Sequence, residues 1–310
     1  SNFSQDGWTK IQGAFWREGG IAPDLQLQDV TPRLTEEAVR VVESHDLDGG
    51  KPLMLYLAYP SPHTPWLPSE EFRGKSSVGM FGDFMMMVDD EIGKVVDSLR
   101  NRGILDDTLL FFTSDNGPVW YEKDVDRYGH DSAGGLRGMK ADAWEAGHRM
   151  PFIVRWPSRI EAGVKSERTI CFTDVFATLA ELLGHELDDG EAPDSFSFLG
   201  ELTGEEGLAP RPPVVMNPGA GNAMRMIRSG PWKLIKGLGS GGFSQPKRVK
   251  PSAGEPSGQL YHLSSDLSEK ENLYGKHPEI VARLLSEMEI IVAAGSSRNV
   301  SLTLDEQSSK

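Results

Sequence analysis

Two short apolar runs, separated by one long amphipathic stretch, constrain this chain more than any other feature. Lys51-Pro-Leu-Met-Leu-Tyr-Leu-Ala-Tyr59 has the continuous apolar character of a strand buried on both faces, as in a parallel sheet. Thr108-Leu-Leu-Phe-Phe-Thr113 reads as a second such strand. Between them Phe81, Phe84, Met85, Val88, Ile92, Val95, Val96 and Leu99 recur at helical spacing. That spacing predicts a helix over about Phe81 to Arg102, stopped by Gly103. Strand, helix, strand is a βαβ unit, with parallel strands and a right-handed crossover. Ligands of such sheets sit beyond the carboxyl ends of the strands. His63 and the pair Asp115-Asn116 follow those ends, so topology alone can bring them to one edge.

The rest of the chain fits an α/β fold that carries a small α+β unit. The opening thirty residues are polar and without period; Thr31-Pro32 then starts a helix that runs to about His45 and buries Leu34, Ala38, Val41 and Val42. Trp120 to Met150 reads as a long loop, and Pro151 to Trp156 as a third strand. Thr173 is the expected cap of a helix with Val175, Phe176, Leu179, Leu182 and Leu183 on its buried face. Residues 185–212 look like a linker. Short strands follow at Pro213 to Met216, Ala223 to Arg228, Trp232 to Lys236 and Gln259 to Leu263, then a helix over Pro278 to Ala294, as in an antiparallel α+β unit. Gly237 to Gly258 reads as a mobile loop. The expected division is 1–205 for the main α/β domain, 206–296 for the small unit and 297–310 for a tail.

The net charge of −14 argues against a general nucleic-acid binder. No apolar run approaches the ~20 residues of a membrane span. One cysteine excludes an internal disulfide or a cysteine-based zinc site. Asp115-Asn116-Gly117 is either a turn or two adjacent oxygen ligands for a hard cation, and two ligands alone do not make a site. His63, between two prolines, is either an exposed loop residue or a hydrogen-bonding partner for an anion. Lys140 is either solvated or, with Arg137 and Arg149, part of a locally basic loop suited to sulfate or phosphate. Cys171 reads as a buried structural thiol, and His130 and Glu145 as possible substrate-facing loop residues.

At these residues the chain resembles the sulfatase family, the arylsulfatase-like branch of the alkaline-phosphatase superfamily. Pro62-His63-Thr-Pro65 is similar to the family's Pro-His-x-Pro segment, and Thr113-Ser-Asp115-Asn116-Gly117 to its metal motif. Leu136-Arg137-Gly-Met-Lys140, followed by Trp144-Glu145-Ala-Gly147-His-Arg149-Met-Pro151, resembles its central signature, with Met139 and Ala146 where the family often has Gly. Ile227-Arg228-x-x-Pro-Trp232-Lys233-Leu-Ile235, and Gln259-Leu-Tyr261-His-Leu263 with Asp266, Glu269 and Asn272-Leu273, resemble its C-terminal signatures.

The resemblance implies a sulfuric ester hydrolase with an alkaline-phosphatase-like, largely parallel sheet. It implies Asp115 and Asn116 as ligands of a divalent cation, usually Ca²⁺, and His63 and Lys140 as contacts of the sulfate group. Substrates would be sulfated small molecules or sulfated glycans, and the compartment an exported one. Family members use a formylglycine nucleophile made from the first residue of Cys/Ser-x-Pro-x-Arg. Cys171-Phe-Thr-Asp-Val175 fails at both fixed positions. The nucleophile and the family's paired N-terminal aspartates are therefore expected outside this chain, which reads as an inactive, poorly soluble C-terminal portion of a sulfatase. Two alternatives stay open: a phosphodiesterase or phosphonate monoester hydrolase of the same superfamily, and a non-catalytic calcium- or anion-binding protein.

Overall fold

The computed structural model describes residues 22–298 and residue 300. Most of the opening stretch and of the expected tail lie outside them. The chain divides into two compact units, Ser1–Thr108 with Lys123–His130, and Leu109–Glu122 with Asp131–Lys310.

The first unit is helical. Helix α1, Val30–Ser44, buries Thr31, Thr35, Ala38 and Val42, and packs on α2, Gly79–Asn101. α2 buries Phe84, Val88 and Leu99 as its spacing predicts and Met87 in addition, whereas Met85 is exposed. Asp83, also buried, accepts hydrogen bonds from Gly74 N and Ser76 N at 2.8 Å, so the loop before α2 is tied to its first turn. A short helix α3, Glu122–Tyr128, lies inside the stretch read as a plain loop.

The expected first strand is not formed. Residues 51–60 carry no helix or strand, and Met54 and Tyr56 are 78% and 86% exposed. A doubly buried strand needs hydrogen-bonded neighbours on both sides, and none pairs with this run among the described residues. The second expected strand is present as β1, Leu110–Thr113, but its partner is β2, Phe152–Arg155, and the pairing is antiparallel. Phe112 faces Ile153 across this ribbon, and both are exposed. On the other side Phe111 and Phe152 gather around the buried Phe198, with ring centroids 5.7–6.3 Å apart. The expected linker is thus a packed segment, with a single helical turn, α5, at Leu199–Leu202.

Helix α4, Asp174–Leu182, departs from expectation at its cap and its face. Thr173 makes no side-chain cap bond. Ser195 does that work, its Oγ accepting from Ala177 N in the first turn at 2.8 Å. Asp174 instead ties neighbouring chain to the helix start, accepting from Cys171 N at 2.8 Å and Phe196 N at 3.1 Å. Its carboxylate is also gripped by Arg211, Nε to Oδ2 at 2.7 Å and Nη2 to Oδ1 at 2.8 Å. Ala177, Thr178 and Ala180 are buried, while Phe176 and Leu183 point outward.

The four short strands near the C-terminus form as expected. β3 (Val214–Met216), β4 (Met226–Ser229), β5 (Trp232–Ile235) and β6 (Gln259–His262) make an antiparallel meander in chain order. Alternation sorts its side chains onto two faces. Ile227, Leu234 and Leu260 pack against Val281, Leu284, Met288 and Ile291 of helix α6, Pro278–Ala294. Met226, Ile235 and Tyr261 face the other way and pack with Ala143 and Trp144. Arg228 and Lys233 are register partners in the same alternation, so this second face carries charge as well. The loop after β5, read as mobile, is tied by Ser240 N to Pro246 O at 3.0 Å, Gly241 N to Lys247 O at 2.9 Å and a bridge between Leu238 and Val249.

The Arg211–Asp174 pair is almost wholly buried, with side chains 4% and 2% exposed. Removing the arginine leaves an unpaired buried carboxylate at a helix start. Arg211→Met is expected to cost about 3–5 kcal/mol in urea unfolding of this chain, and a loss under about 1 kcal/mol would mean the pair is dispensable.

Candidate functional site

Asp115, Asn116 and Lys140 all belong to the second unit. β1 delivers Asp115 and Asn116 just past its carboxyl end, as its sequence suggested. Gly117 is fixed by close approach rather than by turn geometry. A Cβ there would stand 1.7 Å from Ala146 O, and its N–H donates to Gly147 O at 3.2 Å. The Asp115-Asn116-Gly117 stretch is thereby pressed against the segment that carries Lys140. Lys140 N–H in turn donates to Pro118 O at 2.7 Å.

The Lys140 segment has almost no regular structure, yet it is held tightly. Ala141 adopts φ 71°, a left-handed conformation that an alanine enters only at a cost. Asp142, 2% exposed, holds it there. Its Oδ2 accepts from Met139 N at 2.8 Å, and its Oδ1 accepts from Phe243 N at 2.7 Å and Ser244 N at 3.1 Å. Ala143 N donates to Ser240 O at 2.6 Å. Asn116 and Lys140 line one pocket of about 400 Å³ together with Asp142, His148, Met216 and Asn217.

Beneath the pocket lies a buried charge cluster. Lys233, 1% exposed, sits on β5 with Nζ 2.9 Å from Glu145 Oε1 and 2.8 Å from Glu269 Oε1. His148 Nε2 lies 3.3 Å from both Lys233 Nζ and Glu145 Oε1. Arg149 and Arg228 reach Glu145 Oε2 at 3.2 and 3.5 Å. One ammonium cannot neutralise two carboxylates equally. Burial alone would raise Glu145, but Lys233 and His148 outweigh it and hold this carboxyl far below the usual range. At Glu269 burial wins over Lys233 and the carboxyl is pushed up. Burial, reinforced by the Lys233 charge, keeps His148 less basic than a free imidazole. Arg137 stacks on Trp144 at 3.8 Å and donates to Glu269 O at 2.7 Å. Burial also pushes the Tyr261 hydroxyl up to about 12.

The expectation for Glu145 changes here. Glu145 is not substrate-facing; it is 1% exposed and ion-paired, because the cations around it repay its desolvation. Arg137 serves packing between the Lys140 segment and Glu269. His63 belongs to the first unit, where it is exposed and Nδ1–H donates to Thr64 O at 2.8 Å. His130 is in that unit too, 6.4 Å from the Phe81 ring. Cys171 is a free, half-buried thiol. Among the described residues no three His, Cys, Asp or Glu side chains gather as a metal cluster. Asp115 and Asn116 suit a hard cation by donor chemistry, and they supply two of the six to eight oxygens that Ca²⁺ takes. Asp142, His148, Asn217 and Glu269 were not singled out as site residues from the sequence.

One string also escaped the sequence reading. Ser244-Gln245-Pro246-Lys247-Arg248 spells Ser-x-Pro-x-Arg in the loop after β5. Its backbone is spent on that loop: Ser244 O accepts from Ser240 Oγ at 2.6 Å, and Ser244 N donates to Asp142. Ser244 does not line the pocket of Asn116 and Lys140.

The depressed His148 basicity has a pH signature. Below the free-imidazole value of 6.5 the unfolded chain takes up a proton that folded His148 resists. Stability contributed by the neutral ring is thus full above that value and falls as pH drops through it. His148→Gln is expected to flatten the fall in unfolding free energy between pH 7 and about 5; a parallel curve for the variant would remove this role.

Comparison with known proteins identifies the fold and the family. The Sulfatase family model matches residues 14–185. An N-acetylgalactosamine-6-O-sulfatase of Bacteroides thetaiotaomicron is 34% identical over 278 residues, 88% of this chain and 53% of that protein. Human steryl-sulfatase is 33% identical over 186 residues, 60% of this chain and 31% of that protein. The chain therefore spans about half the length, or less, of these curated relatives. A solved structure from work on glycosaminoglycan metabolism by B. thetaiotaomicron superposes with TM-score 0.75 at 33% identity, covering 87% of this chain and 55% of that one. The phosphonate monoester hydrolase of Agrobacterium radiobacter shares the fold alone, at TM-score 0.55 and 19% identity. With its alkaline-phosphatase-like α/β fold and antiparallel C-terminal sheet, the chain belongs to the sulfatase family.

Proposed function

We propose that the whole protein hydrolyses sulfate esters, with a sulfated glycan or small molecule as substrate, and that this chain supplies part of its active site. The observation that carries the reading is the shared pocket of Asn116 and Lys140. A formylglycine would supply the nucleophilic oxygen, and a divalent cation, usually Ca²⁺ in this family, would draw charge from the sulfate. The carboxylate of Asp115 and the amide oxygen of Asn116 would hold that cation. The Lys140 ammonium would donate to the sulfate oxygens and steady the charge that develops on the leaving oxygen. Supporting Lys140 in this role is its fixed backbone, clamped by Pro118 O before the bond-breaking step.

The nucleophile is assigned to no residue of these 310. Ser244 opens a matching string, but its place in a hydrogen-bonded loop away from the pocket lining argues against it. Mass spectrometry of the Ser244 peptide is expected to find unmodified serine. This chain by itself is expected to release no sulfate. The proposed compartment is an exported one, by kinship; among the described residues no helix is long and apolar enough to cross a membrane.

The protein made from its complete coding sequence provides the test. Asp115→Ala and Asn116→Ala are expected to abolish sulfate release by weakening the cation. Lys140→Ala is expected to lower kcat by roughly 10²-fold or more. Near-normal turnover by all three variants would remove the assignment. Side-by-side assays on phosphate and phosphonate esters separate the phosphonate-hydrolase reading. Calcium or sulfate binding without hydrolysis of any ester would favour a non-catalytic protein.

A further inference from the structure

The pocket of Asn116 and Lys140 has a second wall, made by the chain leaving β3 at Asn217, Pro218 and Gly219. Backbone hydrogen bonds fix this wall against the Lys140 segment. Gly219 N donates to Ala141 O at 2.8 Å, and Ala220 N to Gly241 O at 2.6 Å. Ala141 follows Lys140 directly, so the spacing between the ammonium's anchor and Asn217 does not depend on flexible side chains.

The Asn217 amide has a defined orientation. Arg225 Nε lies 3.0 Å from its Oδ1. A guanidinium can only donate, so the amide oxygen must face Arg225, which leaves the Nδ2 amide as a donor at the pocket wall. The next residue after Arg225, Met226, lines the same pocket. The wall is therefore a neutral donor beside an apolar side chain, in the same pocket as the cationic Lys140. Such a pairing suits a substrate whose sulfate is anionic and whose leaving group offers a neutral acceptor oxygen nearby.

We propose that Asn217 is a specificity-determining residue, that Arg225 is the residue that orients it, and that together they read an acceptor oxygen on a sulfated sugar. The proposal rests on reading the pocket as the sulfate-ester site. It narrows the substrate class to sugars, whose ring substituents place acceptor oxygens close to the sulfate, over simple aryl sulfates, which lack them. A side-chain donor matched to such an oxygen discriminates strongly, because the analogue without it leaves the donor unpaired.

The test compares kcat/KM on N-acetylgalactosamine 6-sulfate and on phenyl sulfate in the protein made from its complete coding sequence. For Asn217→Ala the sugar-to-aryl ratio is expected to fall about tenfold, the worth of roughly one hydrogen bond. Asn217→Asp keeps an acceptor for Arg225 but replaces the donor with a charge, and is expected to lower the ratio further. Arg225→Met, which frees the amide to turn, is expected to give a smaller fall in the same direction. An unchanged ratio in the two Asn217 variants overturns the proposal, even if sulfate release itself persists. If the unsubstituted protein releases no sulfate, calorimetry decides. Binding of N-acetylgalactosamine 6-sulfate tighter than inorganic sulfate, lost in Asn217→Ala, upholds the subsite while the hydrolase reading falls. Equal binding of the two overturns the subsite as well.

Discussion

A single ammonium, Lys233 Nζ, lies between the carboxylates of Glu145 and Glu269, and the geometry of the site descends from that placement. Each of the three groups is 1% exposed or less. Taken separately, each would cost several kcal/mol to desolvate. Together they link three distant parts of the chain: the Lys140 segment through Glu145, the meander through Lys233, and the turn after β6 through Glu269. Glu269 Oε2 also accepts from Glu145 N at 2.6 Å, so backbone and side chain of Glu145 are held by the same pair. The arrangement matters less for net stability than for uniqueness. A shift of β5 by one residue would turn Lys233 toward the apolar face that meets α6 and leave two carboxylates unpaired.

From that anchor the Lys140 segment is built without regular secondary structure. Asp142 collects three backbone N–H groups, two of them from the loop after β5. Gly117, with no Cβ, lets the chain beyond β1 approach Ala146 O. The strained Ala141 persists because these contacts over-determine it. In the proposed reaction a lysine held this way would meet its ligand already in place and pay little reorganisation.

What the sequence made legible follows the range of the forces involved. The long helix α2, helix α6 and the four strands of the meander are written in local periodicity, and each appears within a few residues of its expected place. The motif residues Asn116 and Lys140 were legible as chemistry, and they line one pocket. The run at 51–59 was not legible, because its composition states that it should be buried but not what would pair with it. The cap of α4 was misread for a similar reason: the oxygen that accepts from its first turn belongs to Ser195, eighteen residues beyond Ala177, and not to the adjacent Thr173. Glu145 and Lys233 sit 88 residues apart, and no local pattern announces their meeting. A lysine in a short alternating strand, Trp232-Lys233-Leu234-Ile235, was the one available signal, since an inward lysine requires a buried acid.

A chain with net charge −14 is an unpromising host for an anionic ester if charge is summed over the whole molecule. At physiological ionic strength, however, fields fade over a Debye length of about 8 Å, so a sulfate bound as proposed would sense mainly its near neighbours. Lys140 lines this pocket, and so does His148, which contacts Lys233; Arg149 and Arg228 share Glu145 with that lysine. The acids among them are committed: Glu145 to four basic side chains, Asp142 to backbone N–H groups. The acidic surplus elsewhere would still slow the approach of a polyanion at low salt, and added salt would relieve it. Affinity in the proposed site and speed of arrival would therefore be set by different residues.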